Sequence, residues 1–179
     1  KRDYSQRIEF QLSEIDYPNR PPIDVSNTWP RLIKTLLEYE YFGDQIKKNL
    51  SIGTELDGQI KASKNATEKL KVIYQYVQKT MDWNSYAGYY CLSAKEAWSK
   101  KTGSTGDINM VLLNLLKDAG IEAYPLLAST RDHGRVYSAY PLLSQFNELI
   151  VYAEVDGKVY IMDASDKYNP CNLIPLDVL

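Results

Sequence analysis

The spacing of apolar residues predicts that helices occupy the first two thirds of the chain. Apolar side chains recur three or four positions apart over about 28–37, 65–81 and 108–119, which is the period of a helix with one face against a core. The apolar residues with this spacing are Leu32, Ile33, Leu36 and Leu37 in the first stretch, Leu70, Ile73, Tyr74, Val77 and Met81 in the second, and Ile108, Val111, Leu112, Leu115, Leu116 and Ala119 in the third. The third stretch has Met110 and Leu113 on further faces, so we expect a central, buried helix there.

Capping residues indicate where several of these helices begin and end. Asn65 or Thr67 fits the start of the second helix, because short polar side chains accept hydrogen bonds from free backbone N–H groups. Ser93 followed by Glu96 is a capping-box pattern that predicts a short helix ending near residue 100. Gly120 suits the left-handed residue after the third helix.

From residue 121 onward the apolar period changes to two, which predicts strands over 121–128, 146–155 and 158–164. The last two are joined by Asp156-Gly157, a strong hairpin turn signal. Helices followed by antiparallel strands indicate the α+β class.

The hairpin register brings two acidic residues together. A two-residue turn pairs Val155 with Lys158, so that Glu148 falls opposite Ser165. Asp163 is then the diagonal neighbour of Glu148 on the same face of the sheet, about 7–8 Å away at the backbone. Two carboxylates this close repel. We therefore expect one to be protonated with a raised pKa, a cation to lie between them, or Glu148 to turn away.

The first 27 residues differ from the rest. Ile8, Phe10 and Leu12 alternate with polar residues as in a strand, and 17–27 is rich in Pro, Asn and Asp, as in a linker. We expect 1–27 to be the remnant of a preceding β domain and 28–179 to be the main domain. Because the chain begins with Lys1, we expect it to be a processed piece of a longer protein.

Composition narrows the function. The chain has 179 residues, of which 44% are hydrophobic and 25% charged, with a net charge of −2. That balance argues against a nucleic-acid partner, which attracts a basic surface. No apolar run has the length of a membrane span, and no signal peptide is visible. The two cysteines, Cys91 and Cys171, allow at most one disulfide.

The segment Gly103-Ser104-Thr105-Gly106-Asp107 lies directly before the central helix. A side chain at a helix N-terminus meets the positive end of the macrodipole, an environment that lowers a thiol pKa and suits a nucleophile. Here the position holds Thr105. Ser104-x-x-Asp107 is also a capping-box pattern, which favours Ser104 and Thr105 as caps or packing groups with no covalent role.

Three segments together resemble the transglutaminase-like superfamily: Gly103–Asp107, LLKDAGIEAYPLL and FNELIVYAEVDGKVYIMDAS. The likeness covers about residues 65–170, and is to the domain found in large exported bacterial proteins, notably of Bacteroidetes. It implies a papain-like fold, with a central helix packed on an antiparallel sheet. It also implies a Cys-His-Asp triad for acyl transfer or amide hydrolysis. Matched to that pattern, Thr105 stands at the cysteine position, Glu148 at the histidine position and Asp163 at the aspartate position.

This replacement predicts loss of catalysis. A threonine hydroxyl needs a strong neighbouring base, and a carboxylate with an ordinary pKa of about 4.3 is a poor one. Losing a single triad member costs about 10⁴-fold or more in serine proteases. We therefore expect a degenerate domain that binds a peptide or glycan strand, or acts as a scaffold, beside flanking domains of a larger periplasmic or secreted protein. No metal or other cofactor is expected.

Alternatives remain open. An enzyme with an altered Thr105, Glu148 and Asp163 site would be a peptidase, amidase or acyl transferase, and a spacer domain would bind nothing. The acid pair also permits a glycosidase or an aspartic protease, and Cys91 with His133 is another candidate pair.

Aromatic residues dominate the loop before the Ser93 helix. In the resembling fold they would flank the substrate groove, and their rigid amphipathic rings suit ligand recognition. Packing in the core is the alternative role for the same rings. The expected ligand-binding residues are Trp83, Tyr86, Tyr89, Tyr90 and Ser104.

Overall fold

The computed structural model describes residues 12–24 and 28–178. Within these residues the helices are α1 (Trp29–Leu37), α2 (Thr54–Ala62), α3 (Ala66–Thr80), α4 (Ala94–Lys100) and α5 (Thr105–Asp118), with 3₁₀ turns at Gly43–Gln45 and Leu143–Gln145. The strands are β1 (Glu14–Ile15), β2 (Ile23–Asp24), β3 (Asp82–Trp83), β4 (Thr102–Gly103), β5 (Ala123–Ala128), β6 (Glu148–Val155) and β7 (Lys158–Met162).

Helix α5 is the centre of the molecule. Every residue from 108 to 116 is buried, because α5 packs against β6 on one side and against α3 and α4 on others. Strands β5, β6 and β7 form an antiparallel sheet in that order, and two-residue pairs join β1 to β2 and β3 to β4. The α+β prediction with a buried central helix on an antiparallel sheet is confirmed.

The caps account for the helix boundaries. Asn65 accepts a hydrogen bond from Glu68 N at 2.8 Å and begins α3, as one of the two predicted starts. Helix α5 begins at Thr105, three residues before the apolar pattern, because Ser104 and Asp107 form a reciprocal capping box. Gly120 has a φ of +78°, as a C-terminal left-handed residue requires.

Helix α1 buries a narrower stripe than its pattern indicates. Leu32 and Leu36 are buried, whereas Ile33 and Leu37 are about half exposed. Helix α2 has no counterpart in the sequence prediction, because Leu56 is its one buried residue and its apolar pattern is weak.

The N-terminal prediction is tested only in part. Ile8 and Phe10 lie outside the described residues, and Leu12 is exposed and outside any strand. The expected linker 17–27 overlaps β2, which pairs antiparallel with β1. The division at residue 27 stays a prediction.

The hairpin has the predicted register over most of its length. Val155 pairs with Lys158, and Asp156 and Gly157 have positive φ values of 52° and 71°, as this tight turn requires. The ladder between β6 and β7 ends at Val151 and Met162, so the expected pairing of Glu148 with Ser165 does not form. Strands β5 and β6 also begin two residues later than predicted.

Candidate functional site

Thr105 lies in the first turn of α5, and its hydroxyl is hydrogen-bonded to the backbone of the aromatic loop. Its Oγ1 donates to Gly88 O at 3.0 Å and accepts from Gly88 N at 2.9 Å. Its own N–H donates to Tyr86 O at 3.1 Å. The side chain is 4% exposed. Thr105 thus anchors the aromatic loop to the start of the central helix.

Glu148 is buried at the first position of β6, where its strand partner is Ala128 of β5. Burial raises the pKa of Glu148 from 4.5 to about 7, with further increases from the nearby Asp163 and Asp177, while a hydrogen bond with the Thr105 side chain lowers it. Gly88 O and an ionised Glu148 compete for the single hydroxyl proton of Thr105.

Asp163 follows β7 and is held through one oxygen. Its Oδ1 accepts from Asn109 Nδ2 at 2.7 Å, from Ser165 N at 2.8 Å and from Ser165 Oγ at 2.6 Å. Burial raises the pKa of Asp163, while the hydrogen bonds from Ser165 and Asn109 lower it. The carboxyl is therefore fixed in position, and its hydrogen bonds offset only part of the effect of burial on its pKa.

Asn109 is the positioning residue that sequence reasoning missed. It is fully buried on α5, one turn after Thr105. Its Nδ2 donates to Leu149 O at 2.9 Å and its Oδ1 accepts from Ala164 N at 2.9 Å.

The Asn109 side chain explains the end of the β6–β7 ladder. In the hairpin register Leu149 falls opposite Ala164, two steps beyond the last pair. The side-chain amide of Asn109 stands between them and makes the two hydrogen bonds that a peptide group would otherwise make. Asp163, which lies between the last ladder pair and Ala164, contacts α5 through its hydrogen bond with Asn109 Nδ2. The available signal was a pair of asparagines, Asn109 and Asn114, among the apolar positions of this helix.

For the acid pair, the structure agrees with the first of the three expected outcomes, a raised pKa. Thr105, Glu148 and Asp163 are brought together, and the pKa of Glu148 is raised. None of the ion pairs in the described part of the chain involves Glu148 or Asp163. Asp177 is an unforeseen third carboxylate, and it raises the pKa of both.

Ser104 acts as a cap. Asp107 N donates to Ser104 Oγ at 3.2 Å, and Asp107 Oδ2 accepts from Ser104 N at 3.0 Å and from Ser104 Oγ at 2.8 Å. The other oxygen, Oδ1, accepts from Leu92 N at 3.1 Å. The capping-box interpretation of this motif is confirmed. The hydroxyl and the N–H of Ser104 are both hydrogen-bonded to Asp107.

The structure gives no support to the Cys91 and His133 pair. Cys91 is fully buried, and burial together with the nearby Asp107 carboxylate raises the pKa of its thiol, which opposes nucleophilic reactivity. His133 Nε2 lies 2.8 Å from Ser144 O in a different loop. Cys171 is also buried, and neither cysteine is in a disulfide.

The aromatic loop presents some rings to solvent and one to the core. Trp83, Tyr86 and Tyr90 are exposed, whereas Tyr89 is partly buried and packs against the core. Tyr86 O accepts from Trp83 Nε1 at 2.8 Å in addition to Thr105 N. Tyr90 contacts Tyr89, with ring centroids 4.4 Å apart. The exposed rings thus lie on a loop bonded directly to Thr105, and ligand binding by this loop stays a prediction.

Neither metal binding nor membrane insertion has a structural feature in the described residues. Within 12–24 and 28–178, no three His, Cys, Asp or Glu side chains are grouped to hold a metal ion. The same residues contain no helix with the length and hydropathy to cross a membrane.

The fold of this chain is similar to that of solved structures at low sequence identity. A candidate protease from Parabacteroides distasonis has a TM-score of 0.54 and 20% identity, over 74% of this chain and 25% of that chain. A candidate cysteine protease from Cytophaga hutchinsonii has a TM-score of 0.49 and 14% identity, over 86% and 42%. A protein named as a TGase has a TM-score of 0.46 and 12% identity, over 81% and 35%. No protein-family model and no curated protein matches the sequence.

The likeness to the Parabacteroides distasonis protein shows a shared fold at low identity. This chain spans a quarter of the length of that protein.

Proposed function

We propose that the chain is a degenerate, non-catalytic transglutaminase-like domain that binds a peptide or glycan strand within a larger exported protein. The observation that carries the proposal is that the hydroxyl of Thr105 is buried and hydrogen-bonded to backbone atoms. A nucleophile needs a base within hydrogen-bond reach and access to the substrate. Thr105 donates its hydroxyl proton to Gly88 O, for which Glu148 has to compete, and it is almost fully buried, so its hydroxyl has little access to a substrate.

The surroundings of Thr105 favour binding over turnover. The loop that it anchors exposes Trp83, Tyr86 and Tyr90, whose rings offer large contact areas at a low cost in conformational entropy. A groove that has lost its nucleophile keeps such contacts, because they depend on the scaffold and not on the reacting group.

The catalytic half of the proposal is tested with amine donors, glutamine-containing peptides and peptidoglycan-type peptides. We expect no turnover and no ester at Thr105 in intact-mass spectra. Thr105→Ala is the matched control, and turnover that this variant abolishes would refute the proposal.

The binding half is tested by titrating peptide and glycan libraries against the protein. We expect saturable binding of at least one class, weakened by Tyr86→Ala. If no member of either library binds, a spacer domain becomes the better description.

A double variant tests whether the scaffold is that of a thiol enzyme. Thr105→Cys with Glu148→His would restore sulfur and imidazole at the two replaced positions. We expect the introduced thiol at position 105 to react with iodoacetamide faster than it does in Thr105→Cys alone, since the imidazole lowers its pKa. Equal rates would argue against triad-like geometry.

One observation favours a second candidate, a weak peptidase or amidase. The pKa of about 7 suits Glu148 for general acid–base catalysis near neutral pH. Such an enzyme would lose its turnover in Glu148→Gln, whereas the binding domain has none to lose.

The exported location rests on the resemblance described above. It is tested by fractionating cells that make the full-length protein, and a cytoplasmic fraction would contradict it.

A further inference from the structure

A cavity of about 760 Å³ opens beside the end of β7, where Asp166 and Asn169 of the C-terminal segment are hydrogen-bonded to Gln78 of α3. This volume lies within the range of about 300–1,000 Å³ that is typical of small-molecule pockets. Its lining combines apolar and acidic side chains, namely Leu173, Ile174, Leu176, Asp163, Asp166 and Asp177.

The cavity lining is acidic, although a basic residue lies beside it, since Arg131 N donates to Asp177 O at 2.7 Å. No Lys or Arg is among the described residues that line the cavity, and none of their ion pairs involves Asp163, Asp166 or Asp177. Glu148, which is buried close by, adds a further carboxyl without a cation. Asp166 and Asp177 are exposed, whereas Asp163 and Glu148 are buried. Buried carboxylates are costly unless a cation or protons compensate them.

Asp163 supplies an oxygen that is ready for a ligand. All three of its side-chain hydrogen bonds reach Oδ1, and Oδ2 accepts none from the described residues. In that part of the chain no fully buried side-chain polar atom lacks a partner, so Oδ2 is the exposed oxygen of a side chain that is 94% buried. Asp163 is itself one of the residues that line the cavity.

The apolar lining indicates what kind of ligand brings the positive charge into the cavity. Leu173, Ile174 and Leu176 are 55%, 39% and 80% exposed, which leaves unusual apolar area beside the acids. The methylene stem of a lysine or arginine packs on such a surface while its charged end reaches a carboxylate. A metal ion fits less well, because the described residues contain no group of three ligands arranged around a point.

We propose that this cavity binds a basic side chain of a peptide in which apolar residues flank the basic one. The inference rests on the proposed binding function and assigns a ligand chemistry to it. Asp163 Oδ2 and Asp177 receive the cation, and Leu173, Ile174 and Leu176 contact its stem and its neighbours.

Calorimetric titration with three acetylated and amidated pentapeptides tests this assignment. The central residue is lysine, arginine or norleucine, with leucine on either side and alanine at the ends. The titrations are run above the Glu148 pKa of about 7, in about 0.01 M salt, where the Debye length is about 30 Å. We expect a basic peptide to bind at least about tenfold more tightly than the norleucine peptide, as one partly buried charge pair predicts.

Two variants locate the interaction. Asp177→Asn keeps the side-chain shape and should reduce the advantage of the basic peptides about threefold or more. Asp118→Asn makes the same charge change on the exposed end of α5, about 13 Å along the helix axis from Asn109, and should leave the advantage unchanged.

The outcomes separate this inference from the function on which it rests. Equal affinity for all three peptides would overturn the charge assignment and leave peptide binding standing. An advantage that persists in Asp177→Asn would overturn the location. Failure of every peptide to bind would overturn the inference together with the peptide part of the proposed function.

Discussion

Replacing Asn109 by alanine removes the side chain that holds the site together. The change deletes two hydrogen bonds to neutral backbone, at Leu149 O and Ala164 N, and one to the Asp163 carboxylate. Each neutral bond contributes about 1 kcal/mol net, and one to a charged group about 1.5–3 kcal/mol. We expect the free energy of unfolding to fall by about 4 kcal/mol, a large part of the typical total of about 5–15 kcal/mol.

Asn114 offers a matched control on the same helix. It is also buried and makes three hydrogen bonds, to Gln45 O, Met110 O and Lys48 N, but none involves a charged side chain. Asn114→Ala should therefore cost about 3 kcal/mol. Urea unfolding measures both variants, and we expect lower midpoints with unchanged slopes.

A second measurement distinguishes positioning from stability. Because the Asn109 hydrogen bond lowers the pKa of Asp163, Asn109→Ala should raise that pKa, as followed by carboxyl-carbon NMR. Asn114→Ala should leave it unchanged. A loss below about 1 kcal/mol in Asn109→Ala would refute the reasoning, and so would the same pKa change in both variants.

Three further predictions follow from single residues. The pKa of Glu148 is raised on folding from 4.5 to about 7, so its contribution to stability is full below pH 4.5 and is lost as pH rises through 7. Glu148→Gln should remove this slope, about 2 kcal/mol after solvent screening, from urea midpoints measured across that range; an unchanged slope would contradict it. Cys91 should resist thiol reagents in the native state, because it is fully buried with a raised pKa, and rapid labelling would refute this. Gly106→Ala should destabilise the protein, since the new Cβ would lie 2.3 Å from Tyr90 O. The control Gly58→Ala meets nothing within 4 Å and should stabilise α2 by up to about 1 kcal/mol, so equal melting temperatures would count against the steric argument.

Local rules predicted the helix faces and the hairpin because they depend on neighbouring residues. The buried face of α3, the Ser93 cap of α4 and the pairing of Val155 with Lys158 each follow from a pattern within about fifteen residues. The parity of the hairpin also predicted that Glu148 lies near Asp163, although the ladder ends before it reaches them.

The features that complete the site involve long-range contacts that no local pattern contains. Asn109 lies 55 positions from Ala164, to which it bonds, and it replaces the ladder pair that the hairpin register demanded. Asp177 affects Glu148 from a C-terminal segment without regular structure. Helix α2 was missed for another reason, since one buried residue, Leu56, gives no detectable period.

Protons and a basic ligand compete for the same carboxylates, and this links the pKa values to the proposed ligand. A cation beside Glu148 and Asp163 stabilises their charged forms, so its binding must lower the pKa of Glu148 from about 7. By reciprocity, ionisation of Glu148 must tighten binding of the cation by the same free energy.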